Sequence, residues 1–170
     1  MENKYKSIRL IIYVVEIIIV FVIQQTPSFI PEIFGGRPML LIPLIVSVVM
    51  FQNETISIFL GLFVGIMMDF GVGSIIGLYA IIMTFISYAI SFFSGRLIKI
   101  NILSGIIFSF LSITIIYMIN ILLTCILYGF DNFEYMFMNH YLSRMIYTFA
   151  FTPLFYFMNK SVEFSLRPKY

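Results

Sequence analysis

At 170 residues the chain has the size of a single domain, but 61% of it is hydrophobic and only 11% is charged, far from the balance of a soluble protein. A formal net charge of +2, carried in short basic clusters, makes no case for nucleic acid, and one Cys with one His excludes both an intrachain disulfide and a metal cage of the usual ligands. A mean hydropathy of +1.06 requires a bilayer, and because runs such as Ile100 to Leu127 are apolar on every side rather than alternating, the spanning elements are helices and not barrel strands.

In chain order, the N-terminus opens on Lys4, Lys6 and Arg9 and continues into an apolar run ending in Gln24-Gln25-Thr26-Pro27. No small-residue cleavage site follows, so the run reads as a retained first span, Ile8 to Ile23. A proline-spaced loop then leads to Arg37-Pro38, which open a second span, Met39 to Phe51; a third runs from Ile56 to Met68. Both are shorter than the roughly 20 residues that cross a hydrocarbon core, which predicts a short hairpin of the second and third helices. The fourth, fifth and sixth spans are Ser74 to Ser94, Ile100 to Tyr128 and Leu142 to Met158.

The expected fold is therefore an all-α integral membrane protein, one domain over residues 1–170 with six transmembrane helices. Placing the N-terminus inside puts Lys4, Lys6, Arg9, Arg96, Lys99, Lys160, Arg167 and Lys169 in inner segments and leaves Arg37 and Arg144 outside. Both termini are thus expected in the cytoplasm of a cell-membrane protein.

Within this frame a few residues stand out. Gly61, Gly65 and Asp69 share one helix face, and glycines at that spacing let another helix backbone approach closely, within the bundle or from a partner. The topology puts Arg37 at the outer start of the second helix and Asp69 at the outer end of the third. Each opposes its own helix dipole, so a salt bridge between them, or one hydrogen-bond network that they share, is expected to clamp the hairpin. Gly71, Gly73 and Gly77 permit a tight turn into the fourth helix. Glu16 falls mid-span, where a carboxylate is costly; it is expected to hydrogen-bond inside the protein, with Asn120 or a tyrosine as partner, or to serve binding. Ser and Thr of the fourth and fifth helices (Thr84, Ser87, Ser91, Ser109, Ser112, Thr114) are expected to bond to backbone or across helices. No paired catalytic groups fall within the spans, and no Walker-type Gly-Lys motif is present, so no enzyme and no cofactor are expected.

Taken together, Gly36-Arg37-Pro38-Met39-Leu40, Gly61-xxx-Gly65-xxx-Asp69 and Gly77-Leu78-Tyr79-Ala80, in this order and spacing, resemble the rod shape-determining family MreD. The resemblance covers nearly the whole chain and carries over Arg37, Pro38, Gly61, Gly65, Asp69, Gly77 and Tyr79 as family positions. It implies a non-enzymatic subunit of the cell-elongation machinery that binds the bitopic protein MreC. Such a subunit acts with the glycan polymerase RodA, a penicillin-binding transpeptidase and, indirectly, MreB in lateral peptidoglycan synthesis. The family is also similar in fold to the S components of energy-coupling-factor vitamin transporters, so a vitamin-binding S component is the alternative. Against it, the first helix carries no alanine stripe; Asn132, Asn139, His140 and Arg144 are its available outer polar groups.

Overall fold

The computed structural model describes residues 2–26, 29, 31, 37–71, 77–128 and 142–165. These form α1 (Glu2–Gln25), α2 (Leu41–Val49), α3 (Glu54–Gly71), α4 (Leu78–Phe93), α5 (Ile102–Tyr128), α6 (Ser143–Ala150) and α7 (Thr152–Ser165). Only Phe151 separates α6 from α7, and Pro153, which has no N–H to donate, explains the interruption. Buried Thr148, Thr152, Phe155, Tyr156, Asn159 and Glu163 nevertheless continue one face across it, so the two segments act as one interrupted helix. This face extends past Met158, where the sixth span was expected to end.

At the centre is α2. Every residue from Leu41 to Val49 is buried, and the helix touches each of the other six. A helix apolar on all sides must be enclosed, and here the enclosure is protein. Pro43 sits in its first turn, where a missing N–H costs nothing. With nine residues α2 is about 14 Å long, about half of a hydrocarbon core. Three helices are long and apolar enough to cross a membrane: Lys6–Gln25, Glu54–Gly71 and Ile102–Leu123. The third helix is therefore not short, and its close hairpin partner is α4 rather than α2, which corrects the expected hairpin of the second and third helices.

The core is built on Tyr13, Ile17, Leu44, Ile45, Val64, Met68, Met83, Ile113, Tyr117 and Tyr156, all nearly or fully buried. The outer faces are equally apolar: Phe70, Ile81, Phe85 and Leu97 are each more than 70% exposed. Exposed apolar area on this scale belongs to lipid.

Contacts between loops define two ends of the bundle. Arg9 bonds to Glu163, joining the start of α1 to the end of α7. At the same end the Ser91 and Ser94 hydroxyls donate to the carbonyls of Gln52 and Met50, at 2.8 and 3.1 Å, tying the α2–α3 connection to the end of α4. At the opposite end the Gln24 side chain accepts from the Leu41 amide at 3.2 Å, and Thr148 Oγ1 accepts from the Met39 amide at 3.0 Å. Of the hydroxyls expected to bond, Thr84, Ser112 and Thr114 donate to carbonyls of their own helices, while Ser87 and Ser109 are buried without a partner among the described residues.

Since α2 is packed on all sides, Leu44→Ala leaves a cavity that neighbouring helices cannot close. It should lower stability by about 3 kcal/mol in thermal unfolding of the detergent-solubilised protein, whereas lipid-facing Phe85→Ala should leave the midpoint nearly unchanged.

Candidate functional site

The residues that singled out the middle of the sequence meet in a seam between α3 and α4. Buried Ser57, Leu60, Gly61, Val64, Gly65, Met68 and Asp69 form the inner stripe of α3. A Cβ on Gly65 would lie 2.4 Å from the Ala80 Cα and 2.5 Å from the Tyr79 carbonyl oxygen; on Gly61 it would lie 2.5 Å from Ser87 Oγ and 2.8 Å from the Met83 carbonyl oxygen. The two backbones therefore touch, which glycine alone permits. Of the two readings open for this face, packing within the bundle is the one observed.

Asp69 closes the seam. Its Oδ1 accepts from the Tyr79 amide at 2.9 Å and its Oδ2 from the Ala80 amide at 3.1 Å. These are among the first amides of α4, which have no acceptor within their own helix. The residue at the cap position is Gly77, with φ of 93° and no side chain to offer. Asp69, from the preceding helix, supplies the cap that Gly77 lacks, and its negative charge faces the positive end of the α4 dipole. Where a partnership with Arg37 was expected, both Asp69 carboxylate oxygens accept from backbone amides of α4. Position explains the change, because the first amides of α4 have no acceptor in their own helix and Asp69 lies in the last turn of the helix that precedes it. Arg37 lies exposed on the approach to α2, beside buried Pro38.

The seam extends to α5 through Tyr79, whose hydroxyl donates to Asn120 Oδ1 at 2.6 Å, while the Asn120 amide donates to the Ile116 carbonyl. Gly61, Gly65, Asp69, Gly77 and Tyr79 are thus one continuous structure, with Arg37 and Pro38 outside it.

Glu16 lies elsewhere. It is 9% exposed and accepts from Asn159 Nδ2 at 3.4 Å; the same amide donates to Ser47 Oγ at 2.8 Å and to the Phe155 carbonyl at 3.1 Å. The expected partners, Asn120 or a tyrosine, are replaced by Asn159, since Asn120 is engaged by Tyr79. Nearer the N-terminus, Arg9, two turns from Glu16, and the Tyr13 hydroxyl, one turn from it, both bond to Glu163. Between α1 and α7, beside these contacts, runs an apolar trough of about 540 Å³ with Glu16 in its wall.

Four polar residues that position these elements were not singled out in the sequence: Gln24, Thr148, Asn159 and Glu163. The signal for the last two was their one-turn spacing, which placed both on one face once the last helix is extended beyond Met158. The Cys125 side chain and Gly36, Gly73, Asp131, Asn132, Glu134, Asn139 and His140 lie outside the described residues.

Replacing Asp69 by Ala strands two amides at the start of α4 and should lower stability by about 2 kcal/mol. Asp69→Asn keeps one acceptor oxygen and should cost less. Gly65→Ala drives a methyl into fixed backbone and should be at least as harmful as Asp69→Ala. Thermal unfolding in nanodiscs orders the three.

No curated protein and no solved structure matches this chain. The family model of the rod shape-determining protein MreD matches residues 4–162, which reaches into every helix and takes in the whole α3–α4 seam. By that match the chain belongs to the MreD family, and it is a membrane protein of rod-shape determination.

Proposed function

We propose that this chain is a non-enzymatic, multi-pass subunit of the cell-elongation machinery that holds MreC in the membrane and so supports lateral peptidoglycan synthesis. RodA and a penicillin-binding transpeptidase are the enzymes it works with, and MreB is reached indirectly. The observation that carries this reading is the match to the MreD family over nearly the full chain. The vitamin-binding alternative gains nothing from the comparisons.

The arrangement of ends supports a six-pass topology in which α2 and the interrupted α6–α7 rod complete the count. The start of α1, the α2–α3 and α4–α5 connections and the end of α7 lie at one end, with Lys6, Arg9, Arg96 and Lys99. Arg37 and Arg144 lie at the other. By the excess of basic residues on the inner side, the first end is cytoplasmic and both termini are inside. A rigid α3–α4 seam suits a scaffold, because a partner needs a fixed surface more than a moving one.

Two measurements test this. In a Cys125→Ser background, a membrane-impermeant maleimide should label a cysteine at Thr26 from outside intact cells and leave one at Lys99 unlabelled; the reverse pattern inverts the topology. MreC of the same organism should be retained by the purified protein in nanodiscs, with no thermal shift on adding vitamins. A saturable vitamin shift without MreC retention would sink the scaffold.

A further inference from the structure

The trough between α1 and α7 has a form that lipid alone does not explain. On α1 its wall is Val15, Ile19 and Ile23, and on α7 it is Leu154, Met158 and Val162, with Leu40 also lining it. α1 packs closely on α2 and α3, and the trough remains open between it and α7. From Ile12 to Ile23 it follows α1 for about 16 Å, or three helical turns.

Into this apolar slot the protein places a carboxylate. Val15 and Ile19, beside Glu16, are 48% and 53% exposed, whereas Glu16 is more than nine-tenths buried and still lines the trough. Its Oε1 receives one long bond from Asn159, and no hydrogen bond reaches its Oε2 among the described residues. Asn159 Oδ1, behind it, is also buried without a partner among them. An acceptor that opens on an apolar trough without a donor is costly in a dry environment.

Depth selects the donor. Arg9 and Glu163 mark one polar end of the α1–α7 pair, and Gln24 with the Leu41 amide marks the other. At the helical rise Glu16 lies about 10 Å from the level of Arg9 and about 12 Å from that of Gln24, close to the midplane. Acyl chains bring no donor to that depth, and headgroup donors lie at the membrane edges. A transmembrane helix with a polar side chain at mid-span brings one, and interhelical hydrogen bonds with close packing are what hold helices together in lipid.

We propose that the α1–α7 trough seats one transmembrane helix of a partner chain, apolar along its seated face and carrying at mid-span a hydrogen-bond donor side chain that reaches Glu16. This rests on the scaffold reading, in which the single span of MreC is that helix.

The test uses the full-length chain co-expressed with full-length MreC, with a photo-crosslinking amino acid at Ile19 or Leu154 in the trough, or at Ile81 or Phe85 on the outer face of α4. Crosslinks to the MreC span from Ile19 and Leu154, and none from Ile81 or Phe85, are the expected result. MreC retained but crosslinked only from α4 overturns the trough while leaving the scaffold reading intact. Failure to retain MreC at all overturns both. Crosslinks from the trough to lipid alone, or to a second copy of this chain, overturn the proposal. Glu16→Leu should lower the MreC retained by about fivefold, in line with one interhelical hydrogen bond, while Glu16→Gln, still an acceptor, should retain it. Equal retention by Glu16→Leu and the wild type removes Glu16 as the anchor.

Discussion

Two inner helices of this bundle begin with amides that their own cap residues cannot satisfy, and the fold depends on how neighbouring helices satisfy them. α2 starts after Leu40 and α4 after Gly77; neither residue offers a side-chain acceptor. Water relieves such ends in a soluble protein, whereas a bilayer leaves them to the protein itself. Gln24 and Thr148 therefore reach the Leu41 and Met39 amides, and Asp69 reaches those of Tyr79 and Ala80. Each such bond joins one helix to the next, so satisfying the backbone and assembling the bundle are the same event.

The other end of α2 follows the same logic with donors and acceptors exchanged. Just past it the carbonyls of Met50 and Gln52 receive the hydroxyls of Ser94 and Ser91 at the end of α4, and Asn159 bonds to Ser47 within it. A nine-residue helix whose only polar side chain is Ser47 is thereby held at both ends and in the middle. This explains how an element too short to cross a membrane can form the centre of a membrane protein: its surroundings are the other helices, and its polar requirements are met by them.

Against that closed centre, the two sides of the molecule differ in kind. The α3–α4 seam is backbone on backbone, with its one carboxylate doubly bonded. The α1–α7 side is held apart by long side chains and leaves a carboxylate only partly satisfied in an apolar trough. In a family whose role is rod-shape determination, the first is a means of stiffness and the second a means of attachment.

Much of this was legible in the residues. Composition required a helical membrane protein because no soluble core absorbs so much apolar surface, and the spacing of Gly61, Gly65 and Asp69 marked a face of close helix contact because periodicity is local. The order of motifs from Arg37 to Tyr79 pointed to the family that the comparison then showed. Partner choice was a different matter. Asp69 was expected on Arg37 because charge is visible in a sequence, whereas the amides it binds are carried by every residue and become special only where α4 begins. Glu16 was expected on Asn120 or a tyrosine, and Asn159 was passed over as tail, because which helix lies beside which is decided by packing around α2. The sequence by itself determined the chemistry available on each helix face; only the tertiary structure, by choosing neighbours, decided which groups were satisfied and which, among the described residues, were left without a partner.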